Sequence, residues 1–373
     1  MVFSQQDIDL LKMLRWCRYL SIRSAESLFS HIVVENLRHM RIITFHTKSG
    51  ALVLTAKGNR FLDEIVGNLP ASVRPSYRKG ETQRRLHISE LTVTAYRAGI
   101  SVFHKRIEAL EQAQTYYLTA QARVRGFNPW GSTRVAALAR LGDSVYAIHY
   151  LFPGIGNVAL TDELNAFNNN TARLRKVRRG LVFAGESYDD VLAALNTDET
   201  DEGARLASYA EAFRSVTLPV HLLSCDDTGA LQLRIMSQPE YRKRLTMAAL
   251  KTQYRPPPAD HPEWDAIFQN TPLVMAVDME LRRIDAAIRS AKEEGLGQVS
   301  IVALKEQAQA VLSRRYRDKG LARVFTLAPD ALATLGDMTL YTPSRRHYET
   351  PEGDVIDAPL IQADRKGGRQ GRK

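Results

Sequence analysis

Cysteine is scarce in this sequence, whose 373 residues include two, Cys17 and Cys225. Two cysteines supply neither a disulfide framework nor a Cys-x-x-Cys zinc site, and their scarcity is typical of a reducing compartment. Long apolar runs are lacking too, since none approaches the roughly 18 residues that a membrane-spanning helix needs. Residues 1–12 start polar and carry acids, unlike a secretory signal. We therefore expect a cytoplasmic protein without a membrane partner.

Sequence motifs that bind cofactors or cleave phosphodiesters are also missing. No segment reads GxxxxGK[ST], which excludes a P-loop, and segment 153–157 lacks the third glycine of a dinucleotide fingerprint. No histidine–apolar–histidine triplet occurs, so Tyr116 and Tyr117 lack the metal that a nicking tyrosine uses, and we expect both to be buried. We expect no cofactor, no metal ion and no catalytic residue.

Positive charge is concentrated at the two ends of the sequence. The net charge is +10; residues 1–90 hold 14 Lys and Arg against 8 Asp and Glu, and residues 362–373 hold 5 against 1. The remaining residues are balanced. Such asymmetry indicates a polyanionic partner for the N-terminal domain and the tail. The basic, glycine-rich tail 362–373 is expected to be disordered.

Residues 1–66 carry the pattern of a helical bundle with a hairpin. Apolar spacing predicts helices over 5–16, 24–29 and 31–40, the third capped by Ser30 and directing Val34, Leu37 and Met40 toward the core. Two extended runs flank the turn 47–50 and predict a β-hairpin, after which Thr55 caps a fourth helix. Helix, hairpin with a basic tip and helix is the order of a winged helix-turn-helix, which binds duplex DNA.

The third helix is the predicted reader of the DNA major groove. Asparagine can bond the edge of adenine and arginine that of guanine, and His31, Asn36 and His39 span about two helical turns. Basic residues around the helix are expected to contact phosphates, which position a protein without reading sequence. The predicted interface comprises Ser30, His31, Glu35, Asn36, Arg38, His39, Arg41, Lys48, Lys57 and Arg60. Because winged helices also dock proteins, a protein-binding scaffold remains an alternative.

Beyond residue 66 the sequence predicts a linker and an α/β region. Segment 67–83 contains two prolines and two glycines, typical of a linker. Over 84–253, short apolar runs, including one at 231–236, alternate with helical stretches. After a proline-rich hinge, segment 264–361 begins with a βαβαβ alternation. Crossovers of this length favour a parallel sheet covered on both faces.

A metal-dependent nuclease is the rival from another functional class. Such an enzyme of the restriction-endonuclease type needs an acid on one strand and Glu-x-Lys on the next, so that carboxylates hold Mg²⁺. The nearest match is Asp227 with Gln232 and Arg234, where an amide and a guanidinium replace the groups required. A second acidic group at a strand end is explained more simply as an ion-paired helix start; it consists of Asp278, Glu280 and Asp285.

The sequence also resembles a known family. LRHMRII (37–43) followed by GALVLTAKGNRFL (50–62) is similar to the winged-helix start of the replication-relaxation family, carried by plasmids and integrative conjugative elements. Segment 131–134 ahead of 143–150, with the acidic 161–163 after it, is similar to members that follow a Ser-Arg element with a Tyr-x-Val-Tyr strand, although Asp143 stands where the first tyrosine would be. Segments 181–185 and 272–305 fit the same order.

The resemblance implies an α/β C-terminal region related in shape to restriction endonucleases and lacking a clear active site. It further implies a role in the replication, mobilisation or regulation of a mobile element, with replication or relaxase proteins as partners. We therefore predict an α+β winged helix-turn-helix followed by an α/β region, in a sequence-specific binder of double-stranded DNA that acts as an accessory factor or a transcriptional regulator. The sequence leaves open whether the protein forms a homodimer, since winged helices often pair.

Overall fold

The computed structural model of this chain describes residues 2–73, 75–76, 78–122, 128–153, 155, 158–196, 208–341, 347–349, 355–357 and 359–362. The chain divides into two compact units, the first of Met1–Val93 with Tyr341–Lys373 and the second of Thr94–Leu340. Both predicted α/β segments contribute to the second unit. The predicted basic tail lies outside the described residues apart from Gln362. No helix in the described part of the chain combines the length and the apolar content needed to cross a bilayer.

Helices and strands alternate along most of the chain. The N-terminal part holds β1 (Val2–Ser4), α1 (Gln5–Cys17), α2 (Ile22–Phe29), α3 (His31–His39), β2 (Ile43–Phe45), β3 (Leu52–Leu54), α4 (Ala56–Ile65) and α5 (Lys79–Arg97). The middle holds β4 (Thr115–Leu118), β5 (Ala137–Leu141), β6 (Ser144–Tyr150), α6 (Leu160–Asn170), β7 (Arg178–Gly185), α7 (Tyr188–Leu195), α8 (Tyr209–Ser215), β8 (Val220–Ser224), α9 (Asp227–Met236) and α10 (Tyr241–Leu250). The rest holds β9 (Ala266–Phe268), β10 (Thr271–Met275), α11 (Leu281–Glu293), β11 (Val299–Ala303), α12 (Lys305–Gln307, continuing as the π-helical Ala308–Arg317), β12 (Ala322–Thr326), α13 (Pro329–Ala333), β13 (His347–Glu349), β14 (Val355–Asp357) and β15 (Pro359–Gln362).

Helices α1 to α3 form the core of the first unit. Helix α1 buries almost its whole length, including Leu10 and Leu14. Helix α3 buries Val33, Val34 and Leu37, which lie on one face because a helix turns once every 3.6 residues. Only one side of α3 is used in this core, so its opposite side is left exposed.

Side chains cap the first turns of α2 and α4. Ser21 Oγ accepts a hydrogen bond from the backbone N–H of Ser24 at 3.0 Å, and Thr55 Oγ1 accepts one from Gly58 at 3.0 Å, as predicted for Thr55. The prediction that Ser30 caps α3 is wrong. Ser30 has φ 72° and makes no side-chain capping bond; its backbone N–H donates to Glu26 O instead and ends α2. The chain therefore passes from α2 to α3 through one left-handed residue.

A two-stranded antiparallel sheet follows α3, as the sequence predicts. Strands β2 and β3 pair with Ile43 opposite Leu54, and Leu20 forms an additional bridge to Leu52. At the tip, the N–H of Gly50 donates to His46 O at 2.9 Å, and Gly50 supplies the positive φ that this turn requires. The first unit also contains an antiparallel pair that the sequence did not predict, formed by β1 and β15.

The larger sheet of the second unit is mixed, with strand order β4-β5-β6-β7-β8. Strands β6, β7 and β8 run parallel, whereas β4, β5 and β6 form an antiparallel meander. The predicted parallel pairing is present in β6 to β8, whereas β5 and β6 are antiparallel because the short Gly142–Asp143 connection can join only antiparallel strands. Tyr116 and Tyr117 of β4 are buried, as predicted.

The smaller sheet, ordered β12-β11-β10-β9, confirms the βαβαβ pattern over β10, β11 and β12, which are parallel. Strand β9 is antiparallel to β10. The two residues between these strands, Gln269 and Asn270, both have positive φ, which closes a tight hairpin. The two sheets share one apolar core, and Leu222 N donates to Met279 O at 3.2 Å between them.

The strand predicted at 231–236 is wrong, because these residues belong to helix α9. The Asp226 carboxylate accepts from Gly229 N at 2.9 Å and caps the helix. A Cβ atom at Gly229 would lie 1.7 Å from Ser224 O, so glycine permits the helix to start directly against β8. Alternate apolar residues in LQLRIM resemble a strand, but the cap and the glycine favour the helix.

Candidate nucleic-acid interface

Helix α3 exposes a narrow stripe of three side chains on the side opposite its core. Ile32, Asn36 and His39 are all exposed and follow i, i+4 and i+7, so they lie within about 60° of one another around the helix axis. The stripe presents an aliphatic group, an amide and an imidazole in that order. Its width and mixed chemistry match a helix that contacts base edges in a major groove.

Two predicted interface residues of α3 outside this stripe pair with each other. Glu35 and Arg38 form an ion pair, and the Arg38 guanidinium carbon lies 4.0 Å from the centroid of the Phe45 ring. Arg38 therefore holds α3 against β2. Glu35 is the one acid between residues 30 and 60 of the sequence, and its charge is compensated.

The first residues of α3 contact helix α2. His31 Nδ1 lies 2.8 Å from Glu26 Oε1, and this hydrogen bond raises the pKa of His31 above its usual value. The imidazole is exposed and can carry a positive charge near a polyanion. Ser30 is half-buried where α2 meets α3 and makes no side-chain capping bond.

Four further predicted interface residues are cationic, and all are exposed: Arg41, Lys48, Lys57 and Arg60. Arg41 and Arg60 form no ion pair within the described ranges of the chain. Lys48 lies in the turn between β2 and β3. Lys57 Nζ donates to Met40 O at 2.8 Å, at the carbonyl end of α3 where a cation is favoured. The first unit thus exposes several cations in the residues that follow α3, and Arg41 and Arg60 are available to an anion.

Ile32 was missed by the sequence analysis. It is 65% exposed, whereas the other large apolar residues that are exposed range from 36% to 46%. The sequence contained a signal for this exposure, because Ile32 lies about 145° around the helix from the mean direction of Val33, Val34 and Leu37, out of phase with the core. Most side chains that contact base edges are polar or charged, so residue type alone did not indicate the aliphatic Ile32.

A second cluster of chemical interest lies in the second unit beneath a cavity of about 340 Å³. His221, Asp278 and Glu280 offer donor atoms within 4.8 Å of one another, which is the spacing of metal ligands. However, the Arg242 guanidinium bridges the two carboxylates, with Nε 2.5 Å from Asp278 and Nη2 2.5 Å from Glu280. A metal ion would have to displace this internal cation.

Asp278 is completely buried at the base of this cluster. Burial alone would raise the pKa of its carboxyl group, but the positive charges of Arg242 and Arg283 lower the pKa well below its usual value. Tyr241 OH also donates to Asp278 at 2.6 Å. Asp285 pairs separately with Arg315 at 3.2 Å. These contacts confirm the predicted ion-paired helix start.

The residues predicted as a degenerate nuclease motif do not converge. All three belong to α9 rather than to strands. Asp227 is exposed and pairs with Arg97, Gln232 is buried and accepts from Tyr188 OH at 2.6 Å, and Arg234 donates to Asp337 O at 2.7 Å. Three side chains with separate partners cannot hold one Mg²⁺ ion, so the strand-based interpretation of this motif is wrong.

Comparisons with protein-family models, with curated proteins and with solved structures return no match to this chain. The geometry of the α3 surface is accordingly the basis for assigning a function.

Proposed function

We propose that the first unit binds double-stranded DNA, with α3 in the major groove and the turn between β2 and β3 against the phosphate backbone. The observation that carries the proposal is the α3 stripe, in which Asn36 and His39 are exposed, together with the exposed cations Arg41 and Arg60 of the same unit. A recognition helix flanked by a hairpin is a common DNA-binding arrangement, and the basic residues come with a single, compensated acid.

In this proposal eight of the ten predicted interface residues take one of three roles. Asn36 and His39 contact base edges, whereas Arg41, Lys48 and Arg60 contact phosphates. Arg38, Glu35 and Lys57 hold the helix and hairpin in place through contacts within the unit. Following the resemblance to the replication-relaxation family, the DNA is that of a mobile element, and the protein acts in the cytoplasm as an accessory factor in replication or mobilisation or as a transcriptional regulator.

The test is fluorescence anisotropy of the full-length chain with a labelled duplex of randomised sequence, repeated from about 50 to 200 mM salt. Binding should weaken steeply with salt, since each neutralised phosphate releases about 0.9 counterion. The variant R41A/R60A should flatten the slope of log affinity against log salt by about 2, one unit for each lost phosphate contact.

A matched control removes the same charge from the second unit. Arg289 and Arg323 are at least partly exposed and form no ion pair in the described part of the chain. The variant R289A/R323A should therefore bind DNA like the parent protein. Equal slopes for the two double variants would assign DNA binding to overall charge and overturn the proposed interface. No binding to any duplex at the lowest salt concentration would overturn the proposed function.

A further inference from the structure

Ile32 is exposed, and its aliphatic side chain would be stabilised by contact with an apolar group of a ligand. Its side chain is exposed on a helix whose other aliphatic residues, Val33, Val34 and Leu37, are all buried. It belongs to the first turn of α3, the part of a recognition helix that reaches base edges most directly. Because it takes no part in the core, its position is available to an intermolecular contact.

We infer that Ile32 reads the C5-methyl group of a thymine in the major groove, close to the base pair contacted by Asn36. This inference rests on the proposed DNA-binding function. The thymine methyl is the one apolar group in the major-groove pattern, and aliphatic side chains contact it. Asparagine is the side chain that pairs with the N6 and N7 edge of adenine. The preferred duplex therefore contains both a thymine and an adenine in the half-site under α3.

The spacing of the two side chains fixes the separation of these bases. Ile32 and Asn36 are four residues apart, which corresponds to a rise of about 6 Å along the helix. Base pairs are about 3.4 Å apart, so the two contacts fall on base pairs one or two steps apart. His39 extends the stripe by a further turn and contacts the next part of the same half-site.

A protein partner fits the stripe less well. Helices that dock into protein grooves place apolar anchors at i, i+3 or i+4 and i+7. On α3 those positions are Ile32, Asn36 and His39, so one anchor is apolar and two are polar. The cations around them favour a polyanion over an apolar groove.

The experiment uses deoxyuridine, which differs from thymidine only by the missing methyl group. The full-length chain is first used to select a preferred duplex from a randomised pool, and each thymine of that duplex is then replaced by deoxyuridine in turn. At one position the parent protein should bind about fourfold more weakly, the effect of losing one methyl contact. The variant I32A should bind the thymine and deoxyuridine duplexes equally.

The variant K48A provides the control. It should bind both duplexes more weakly by the same factor and retain the fourfold preference, because a phosphate contact does not sense the methyl group. Since Ile32 is exposed, I32A should keep the parent's circular dichroism spectrum and melting temperature, which separates lost contact from lost fold.

Failure of this inference is distinguishable from failure of the proposed function. If DNA binds but no deoxyuridine position matters to the parent protein, Ile32 does not read a methyl group. A selected duplex without adenine and thymine one or two steps apart leads to the same conclusion. If I32A changes the oligomeric state while its thymine preference is unchanged, Ile32 belongs to a protein interface. If no duplex binds at all, the proposed function itself is overturned.

Discussion

Replacing Arg242 with methionine tests whether the buried Asp278 cluster is a structural ion pair. The substitution removes the guanidinium that contacts both Asp278 and Glu280 and retains most of the aliphatic side chain. Removing one partner of a buried ion pair costs roughly 3–5 kcal/mol, because a charge is left buried without compensation. Arg242 is partly exposed and the adjoining cavity can admit water, so we expect a loss near the lower end, about 3 kcal/mol.

The measurement is urea-induced unfolding of the second unit. Trp130 and Trp264 both belong to this unit and are buried, so a W16F background makes tryptophan fluorescence report on it alone. The matched control is R314M, which breaks the exposed pair between Arg314 and Asp189 and should cost less than about 1 kcal/mol. The double variant R242M/D278N should be more stable than R242M, because the uncompensated carboxylate is also removed.

The pH dependence of the same variant follows from the lowered pKa of Asp278. A carboxyl group whose folded pKa is lowered contributes stability above its unfolded pKa of about 3.9 and loses that contribution as the pH falls toward the folded pKa. The deficit of R242M should therefore be full at pH 7 and narrow below about pH 4. If R242M and R314M unfold at the same urea concentration, the reasoning about this cluster is refuted.

Two further substitutions probe other contacts. Burial, reinforced by Arg134, lowers the pKa of His149 to about 4, so the unfolded chain binds a proton at a higher pH than the folded one. The free energy of unfolding of the second unit should therefore fall by up to about 3 kcal/mol between pH 7 and pH 4. The variant H149F keeps the ring contacts and should remove this pH dependence, and an unchanged pH profile of unfolding in H149F would contradict the argument. A Cβ atom at Gly58 would lie 2.1 Å from Ile42 O, so G58A should destabilise the first unit by about 1–3 kcal/mol and speed hydrogen exchange in α3 and α4. The control G80A adds a Cβ atom where nothing lies within 4 Å and should have neither effect. Equal hydrogen exchange in the two variants would contradict the predicted clash.

Much of the fold was predictable because local periodicity and local caps agree. Helix α4 is an example: Thr55 caps it, and its buried Leu62 lies on the inner face. The parallel strands β10 to β12 were predictable because each is a short apolar run followed by a helix of crossover length. In these segments the sequence pattern and the tertiary environment favour the same structure.

The errors occurred where a contact or a backbone conformation that periodicity does not reveal decides the local structure. Helix α9 depends on Gly229 fitting against Ser224 O, which no periodicity reveals. The hairpin of β9 and β10 depends on positive φ at Gln269 and Asn270, and glutamine is not a typical turn residue there. On the candidate interface, sequence patterns predicted that Asn36 and His39 are exposed, but not that Arg38 is held by Glu35 and Phe45.

The pairing of β1 with β15 has a consequence for biosynthesis. Val2–Ser4 are synthesised before the second unit, whereas their partner strand Pro359–Gln362 is synthesised after the whole of it. The second unit is encoded contiguously and can fold during translation, but this pair must wait until β15 has left the ribosome. Until then the nascent protein presents β1 without its hydrogen-bonding strand, and a chaperone or a neighbouring nascent chain could occupy it.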